Sequence, residues 1–286
     1  MIMVKLQGGL GNQMFQYAAA RALKSGKIYF DYSFLNNNNI SSYSFTAREF
    51  ELHIFSKLKV KKLNSYAKRL ILTKNKKYDL LKFLLPAKLN NIKYITDDNI
   101  EENLNKKHLN QMLYLEGYFQ NATYYNQIKK SIVDDFTFPK LPDEFLELLN
   151  EIENSNSVAI HIRRGDYLKP NIKEYHGILP ISYYEHAIRY LNGKLENPLY
   201  FIFSDDPDWC FENLNFLSNK QIVSNRNEAW IDMCLISNCK HQIIANSSFS
   251  WWAAWLNQFE EKIVISPKKW FNSAESSIAP KEWISL

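Results

Sequence analysis

The chain has 286 residues, enough for about two domains and for a core that needs no disulfide or metal to hold it. With 46% hydrophobic and 23% charged residues, and only 8 glycines and 9 prolines, it is neither a disordered chain nor a collagen-like one. Its net charge, 35 − 30 = +5, is too mild to mark nucleic-acid binding and fits an anionic ligand.

Residues 2–6 form a short apolar run that ends in Gly8-Gly9-Leu10-Gly11. Met14, Tyr17, Ala18, Arg21 and Ala22 then recur at helical spacing, and Ile28-Tyr29-Phe30 reads as a second strand. Strand, glycine turn, helix, strand is the opening of an α/β sheet. Asn36–Asn39 is a polar tract expected at a loop tip. From 57 to 77 there are nine Lys or Arg residues and no acid, interleaved with apolar side chains, a pattern predicting a basic amphipathic helix. Such a helix is a solvated face or a contact with an anionic bilayer.

Residues 143–156 read as a helix running into a linker, which sets a domain boundary at 152/153 and domains of 1–152 and 153–286. Beyond it, strands at 158–162, 199–203, 241–245 and 262–265 alternate with helices at 182–191, 229–236 and 251–256. Apolar strands alternating with helices imply a parallel sheet covered on both faces. Cys210, Cys234 and Cys239 have neither redox nor zinc spacing and read as buried thiols of a reducing compartment. No apolar run reaches the ~18 residues of a membrane span, and the N-terminal run is too short for a signal peptide. The expected location is cytoplasmic, with 57–77 as the one stretch that would hold the chain at the inner face of a membrane.

Four motifs lie where strands end. Gly8-Gly9-Leu10-Gly11-Asn12-Gln13 lets the backbone approach a ligand at a helix N-terminus. It is not a P-loop, and as a dinucleotide fingerprint (Gly9, Gly11, Asp31) it fails at Met14, too large for close helix–strand packing. His161-Ile162-Arg163-Arg164-Gly165-Asp166 sets two guanidiniums at a strand end. Strand alternation sends them to opposite sides, one for a phosphate and the other bracing the loop, with Asp166 as its candidate partner. In Ser204-Asp205-Asp206-Pro207-Asp208, Asp205 is the ligand contact. Asp206 before Pro207 reads as a helix cap rather than part of a metal-binding Asp-x-Asp. Asn246-Ser247-Ser248-Phe249 opens a helix with hydroxyls and free amides, an anion site. Taken together, these describe a nucleotide-diphosphate site, with the first motif in one domain and the other three in the second.

These motifs, with Glu116-Gly117-Tyr118-Phe119-Gln120 and Trp251-Trp252, resemble those of the α-1,2-fucosyltransferases of glycosyltransferase family 11, nearly end to end. The resemblance implies a GT-B-like fold of two Rossmann-like domains with a donor/acceptor cleft between them. It implies transfer of L-fucose from GDP-β-L-fucose to the 2-hydroxyl of a terminal β-galactoside, with inversion and without metal or other cofactor. The acceptor is a galactose-terminated oligosaccharide or lipid-linked glycan. Carried over, Arg163 holds the diphosphate, and His161 and Asp205 lie near the guanosine. Ser247, Ser248 and Phe249 line phosphate and nucleoside, and Asn12 faces fucose and acceptor. Gly9, Gly11, Gln13 and Arg164 complete the donor side, and Asp166 joins Arg163 and Asn12 as the catalytic set. Glu174, His176, Asp166 and Tyr118 are the candidates for a base or an acceptor contact. A fucosyltransferase of another linkage and a non-catalytic carbohydrate-binding protein are the alternatives.

Overall fold

Among the described residues every strand pair is parallel, and the strands fall into two sheets. The structure, a computed structural model, describes residues 1–24, 26–43, 45–58, 60–72, 91–108, 111–223, 228–272 and 278–286.

The first unit comprises Met1–Ile40 and Ala47–Thr137. Its strands are β1 (Ile2–Lys5), β2 (Ile28–Asp31), β3 (Val60–Lys62), β4 (Ile92–Ile95) and β5 (Met112–Leu115), in the order β3-β2-β1-β5-β4. Strand β1 is central because Ile2, Met3 and Val4 are apolar on both faces and fully buried. Val4 lies opposite Phe30 on one side and Leu115 on the other. The helix Leu10–Ala22 follows β1 and buries eleven of its thirteen residues.

The second unit comprises Ser41–Thr46 and Phe138–Leu286. Strands β6 (Ser157–Ile162), β7 (Leu199–Ser204), β8 (Lys220–Val223), β9 (His241–Ile243), β10 (Val264–Ser266) and β11 (Ile284–Ser285) run in the order β11-β10-β9-β6-β7-β8. All six residues of β6 are buried. Each of Val158, Ile160 and Ile162 contributes roughly 1.5–3 kcal/mol by leaving water.

Sequence and structure differ at three places. The units divide at Thr137/Phe138 rather than 152/153, because the helix Leu146–Asn154, which composition reads as leading into a linker, packs on the second unit. The polar tract 36–39 begins inside the helix Ser33–Asn37. The basic segment is not one helix. It supplies strand β3 and then the helix Ser65–Leu72, and 59 and 73–77 lie outside the described residues.

Its charges are also partly committed within the unit. Lys68 Nζ lies 2.7 Å from the buried Asp31 carboxylate, Lys57 donates to Thr137 at 3.0 Å, and Lys62 lies over the Tyr32 ring at 5.4 Å. The described part of 57–77 is therefore not one helical face. No helix among the described residues is long and apolar enough to cross a membrane.

Candidate active site

The order of each sheet identifies where a ligand belongs. In the second unit the chain builds outward from β6 to β7 and β8, then returns to the other side of β6 with β9, β10 and β11. The crevice outside the carboxyl ends of β6 and β9 is thus a topological switch point, the usual ligand position in open α/β sheets. The arginine motif leaves β6 there, and Asn246-Ser247-Ser248 follows β9 there. The first unit repeats the arrangement: β2 and β3 lie on one side of β1, and β5 and β4 on the other. Its switch point lies between β1, which the glycine loop follows, and β5, which Glu116–Gln120 follows.

Arg163 is held by two carboxylates. Its Nη2 lies 2.6 Å from Asp166 and its Nη1 lies 2.8 Å from Asp205. The guanidinium carbon lies 5.7 Å from the centre of the Tyr167 ring. Burial would lower the Arg163 pKa, but Asp205 and Asp166 outweigh it and the net shift is upward. Arg164 leaves the other way, to Asp206 at 3.1 Å and onto the Trp209 ring at 4.1 Å. Arg164, placed on the donor side by the resemblance, is therefore the arginine that braces the loop; its guanidinium is taken up by Asp206 and Trp209, and Asp166 belongs to Arg163. The doubled arginine also does not need a bound anion to be tolerated, because three aspartates neutralise it.

Asp205 is more than a ligand contact. Its Oδ1 accepts from the backbone N–H groups of Arg164 (2.8 Å) and Gly165 (3.0 Å) while Oδ2 meets Arg163. Burial would raise its pKa, yet Arg163 and the two amides hold it below the ordinary carboxylate range. A side chain at Gly165 would place Cβ 2.7 Å from Asp205 Oδ2, so the glycine permits this clamp. Asp206 caps the helix Pro207–Asn213, accepting from Trp209 N–H at 3.3 Å, as the Asp-Pro pair predicts.

His161, 5% exposed, lies against Phe249 with ring centres 5.3 Å apart. Burial, and then Arg163, push its pKa down to about 3, so the imidazole is neutral. Its Nδ1 is buried without a hydrogen-bond partner among the described residues. Ser247 caps the helix Ser248–Leu256, accepting from Phe249 N–H, and Ser248 is that helix's first residue.

His176 stacks on Tyr167 at 4.9 Å and 20°, with Tyr175 and Phe271 completing its cage. Burial, with Arg163, lowers its pKa as well. Glu174 neighbours it on the helix Pro170–His176.

Sequence reasoning quoted Asn246 within a motif but gave it no role. Its carbonyl accepts from Tyr167 Oη at 2.9 Å, and its amide donates to the carbonyls of His176 (2.7 Å) and Trp270 (3.3 Å). It ties the arginine loop to the end of the helix Pro170–His176. Lys169, also missed, donates to Ser42, Phe45 and Thr46 and fixes the loop 41–46 on this unit.

In the first unit Asn12, Gly9, Gly11, Gln13 and Tyr118 do come together. Asn12 Oδ1 accepts from Gln120 Nε2 at 2.8 Å, and Gln16 donates to Gly117 O at 3.2 Å, so the two motifs are bonded across the switch point. Gly8 turns the chain at φ +76°, Gly9 precedes the helix, and Gly11 is buried within it. Gln13 is not available to a donor. It is fully buried, donates to the carbonyls of Gly8 and Glu49, and accepts from Glu51 N–H. Asp31 is likewise taken up by Lys68, Ser33 and Tyr114 rather than a ribose. Asp97 was missed. It accepts from the amides of Tyr118 and Phe119, holding Phe119 at φ +55° and Tyr118 43% exposed.

The family model of glycosyl transferase family 11 matches residues 1–286. The chain belongs to that family. A full-length relative, the O-antigen biosynthesis glycosyltransferase WbnK of Escherichia coli, is 37% identical over 98% of this chain and 99% of its own. The alpha-1,2-colitosyltransferase of Escherichia coli is 31% identical over 100% and 98%. Galactoside alpha-(1,2)-fucosyltransferase 1 of Leontopithecus chrysomelas is 28% identical over 50% of this chain and 43% of its own. Among solved structures, NodZ alpha-1,6-fucosyltransferase co-crystallised with GDP has a TM-score of 0.50 at 12% identity, covering 88% of this chain and 91% of that one. The fucosyltransferase NodZ from Bradyrhizobium as the selenomethionine protein has a TM-score of 0.51 at 12%, covering 88% and 90%. The family 11 chain thus has the GT-B-like α/β fold with two parallel sheets, and it is a glycosyltransferase.

Proposed function

We propose that this family 11 glycosyltransferase moves L-fucose from GDP-β-L-fucose to the 2-hydroxyl of a terminal β-galactoside, in the synthesis of a surface polysaccharide. The observation that carries the donor reading is Arg163, fixed at the switch point by Asp166 and Asp205. At the same end of the sheet the helix Ser248–Leu256 begins after β9, with Ser247 capping it and Phe249 against His161, whose Nδ1 has no partner among the described residues. These are donors and a polar atom suited to a nucleoside diphosphate.

Inversion is a single displacement. The acceptor O2 attacks the anomeric carbon as the bond to the β-phosphate oxygen breaks, and GDP departs with the electron pair. A guanidinium already aimed at that oxygen stabilises the transition state more than the ground state. Its two carboxylates fix its direction before the substrate arrives. Asp166 is committed to Arg163 and is a poor choice of base. His176, caged beside Tyr167, is neutral and so has a lone pair for the acceptor's proton, although the burial that lowers its pKa weakens it as a base. The scheme is written without a metal; in support of that reading, Asp206 of the Asp-x-Asp segment serves as a helix cap and its neighbour Asp205 as the clamp on Arg163.

The linkage rests on the α-1,2 relatives. The full-length likeness to a colitosyltransferase favours a second reading in which the sugar is another 6-deoxy L-sugar. Incubation with GDP-fucose or GDP-colitose and a panel of β-galactosides, followed by NMR of the product, tests both. An α-1,2-fucosylated galactoside is expected. Transfer from GDP-colitose alone, or another linkage, would overturn the first reading.

A further inference from the structure

A depression of about 570 Å³ opens on the second unit, lined by Asn171, Glu174, Tyr175 and Asn272. That volume lies in the range of small-molecule sites. Packed side chains link its wall to the arginine loop: Arg163 lies over Tyr167, Tyr167 stacks on His176, and the His176 and Tyr175 rings are perpendicular at 4.8 Å.

Its chemistry is specific. The Tyr175 ring is 54% exposed, yet it is backed by Phe271 at 5.0 Å and held by His176, so one face is fixed and the other is presented. Asn272 donates to the carbonyls of Lys173 and Glu174 and accepts nothing from them, so it pins the helix end that carries the ring. Among the described residues, neither the Glu174 carboxylate nor the Asn171 amide is engaged. Among the described residues the lining therefore offers a supported aromatic face, an unengaged carboxylate and an unengaged amide, with one negative charge and no cation. A nucleoside diphosphate would be repelled. A neutral pyranose suits it, with its C–H face on the ring and its hydroxyls on the carboxylate and amide.

We propose that Tyr175, Glu174 and Asn171 form an acceptor subsite that holds a neutral sugar ring internal to the glycan, beyond the galactose that reacts. The proposal rests on the acceptor class inferred above. It makes these residues determinants of acceptor length and identity, acting on binding rather than on chemistry.

The test compares Tyr175→Ala, Tyr175→Phe and Glu174→Gln with the unaltered chain on two acceptors, methyl β-galactoside and a galactose-terminated trisaccharide. Tyr175→Ala is expected to raise KM for the trisaccharide roughly tenfold. The KM for methyl β-galactoside, the donor KM and kcat should stay within about twofold, and Tyr175→Phe should behave as unaltered. Glu174→Gln is expected to raise the trisaccharide KM, and a fall in kcat on methyl β-galactoside in that variant would assign the carboxylate to the reaction instead and overturn its place in the subsite. Equal changes on both acceptors, a changed donor KM, or no change at all would overturn the subsite. Saturation-transfer NMR of the trisaccharide without donor separates this from the fucosyl reading. If no fucose is transferred, internal-ring signals that vanish in Tyr175→Ala still uphold the subsite, and signals that persist refute it.

Discussion

Asp205 and Arg163 are bound side chain to side chain at 2.8 Å, while the same carboxylate receives the backbone amides of the next two residues. One acid from the end of β7 thus sets both the direction of the guanidinium at the end of β6 and the path of the loop beyond it. An isosteric amide would keep the shape and lose the charge. Asp205→Asn is expected to lower kcat/KM by the order of 10²-fold, because a misdirected catalytic group costs about that much. It should cost about 1–3 kcal/mol in urea denaturation. Activity within twofold of the unaltered chain would show that the clamp is ornamental.

The histidines make a prediction about acid. His161, His176 and His241 all have folded pKa values below the ordinary histidine range, each mainly through burial. A group whose folded pKa is depressed binds its proton in the unfolded chain first. The stability it contributes is therefore complete above about pH 6.5 and is lost as pH falls toward the folded value, which for His161 is about 3. His161 alone should withdraw about 1 kcal/mol between pH 6.5 and 5.5. Urea midpoints that stay level from pH 7.5 to 5 would contradict this.

Gly8 stands at φ +76°, where an L side chain is strained, and a Cβ there would lie 2.9 Å from Asn12 Cβ. Gly8→Ala is expected to cost about 1–2 kcal/mol and to displace the Asn12 amide from Gln120. Lower melting temperature with a large activity loss is the expected pair of results. A variant as stable and active as the unaltered chain would remove the turn from the site.

Asp206 caps a helix and braces Arg164, so its carboxylate is already committed. Activity is therefore expected to be unchanged in EDTA. Asp206→Ala should cost about 1 kcal/mol as a lost cap, together with an unpaired Arg164. Activity lost in EDTA and restored by Mn²⁺ would reassign the segment to a metal.

Where the sequence was legible, the information was local. Strands β6 and β7 stand out as continuous apolar runs because both their faces are covered, and Asp206-Pro207 announces its cap because the capped amide is three residues away. What was hidden depends on partners distant in the chain. Gln13 lies within the family's glycine motif and reads as a ligand contact, yet the carbonyl and amide it holds belong to Glu49 and Glu51. Lys68 reads as one more charge on a basic face, but Asp31, thirty-seven positions earlier, captures it. Asp166 pairs with Arg163 and not with the bracing Arg164, because alternation along a strand predicts the side on which a side chain leaves and not which carboxylate waits there.

The account turns on whether Arg163 meets the diphosphate, and calorimetric titration of GDP into the unaltered chain and Arg163→Ala measures that directly. The expected result is a GDP affinity weakened at least tenfold in the variant, with kcat reduced by roughly 10²–10³ and the melting transition retained. Equal GDP affinity in the two proteins, each cooperatively folded, would contradict it.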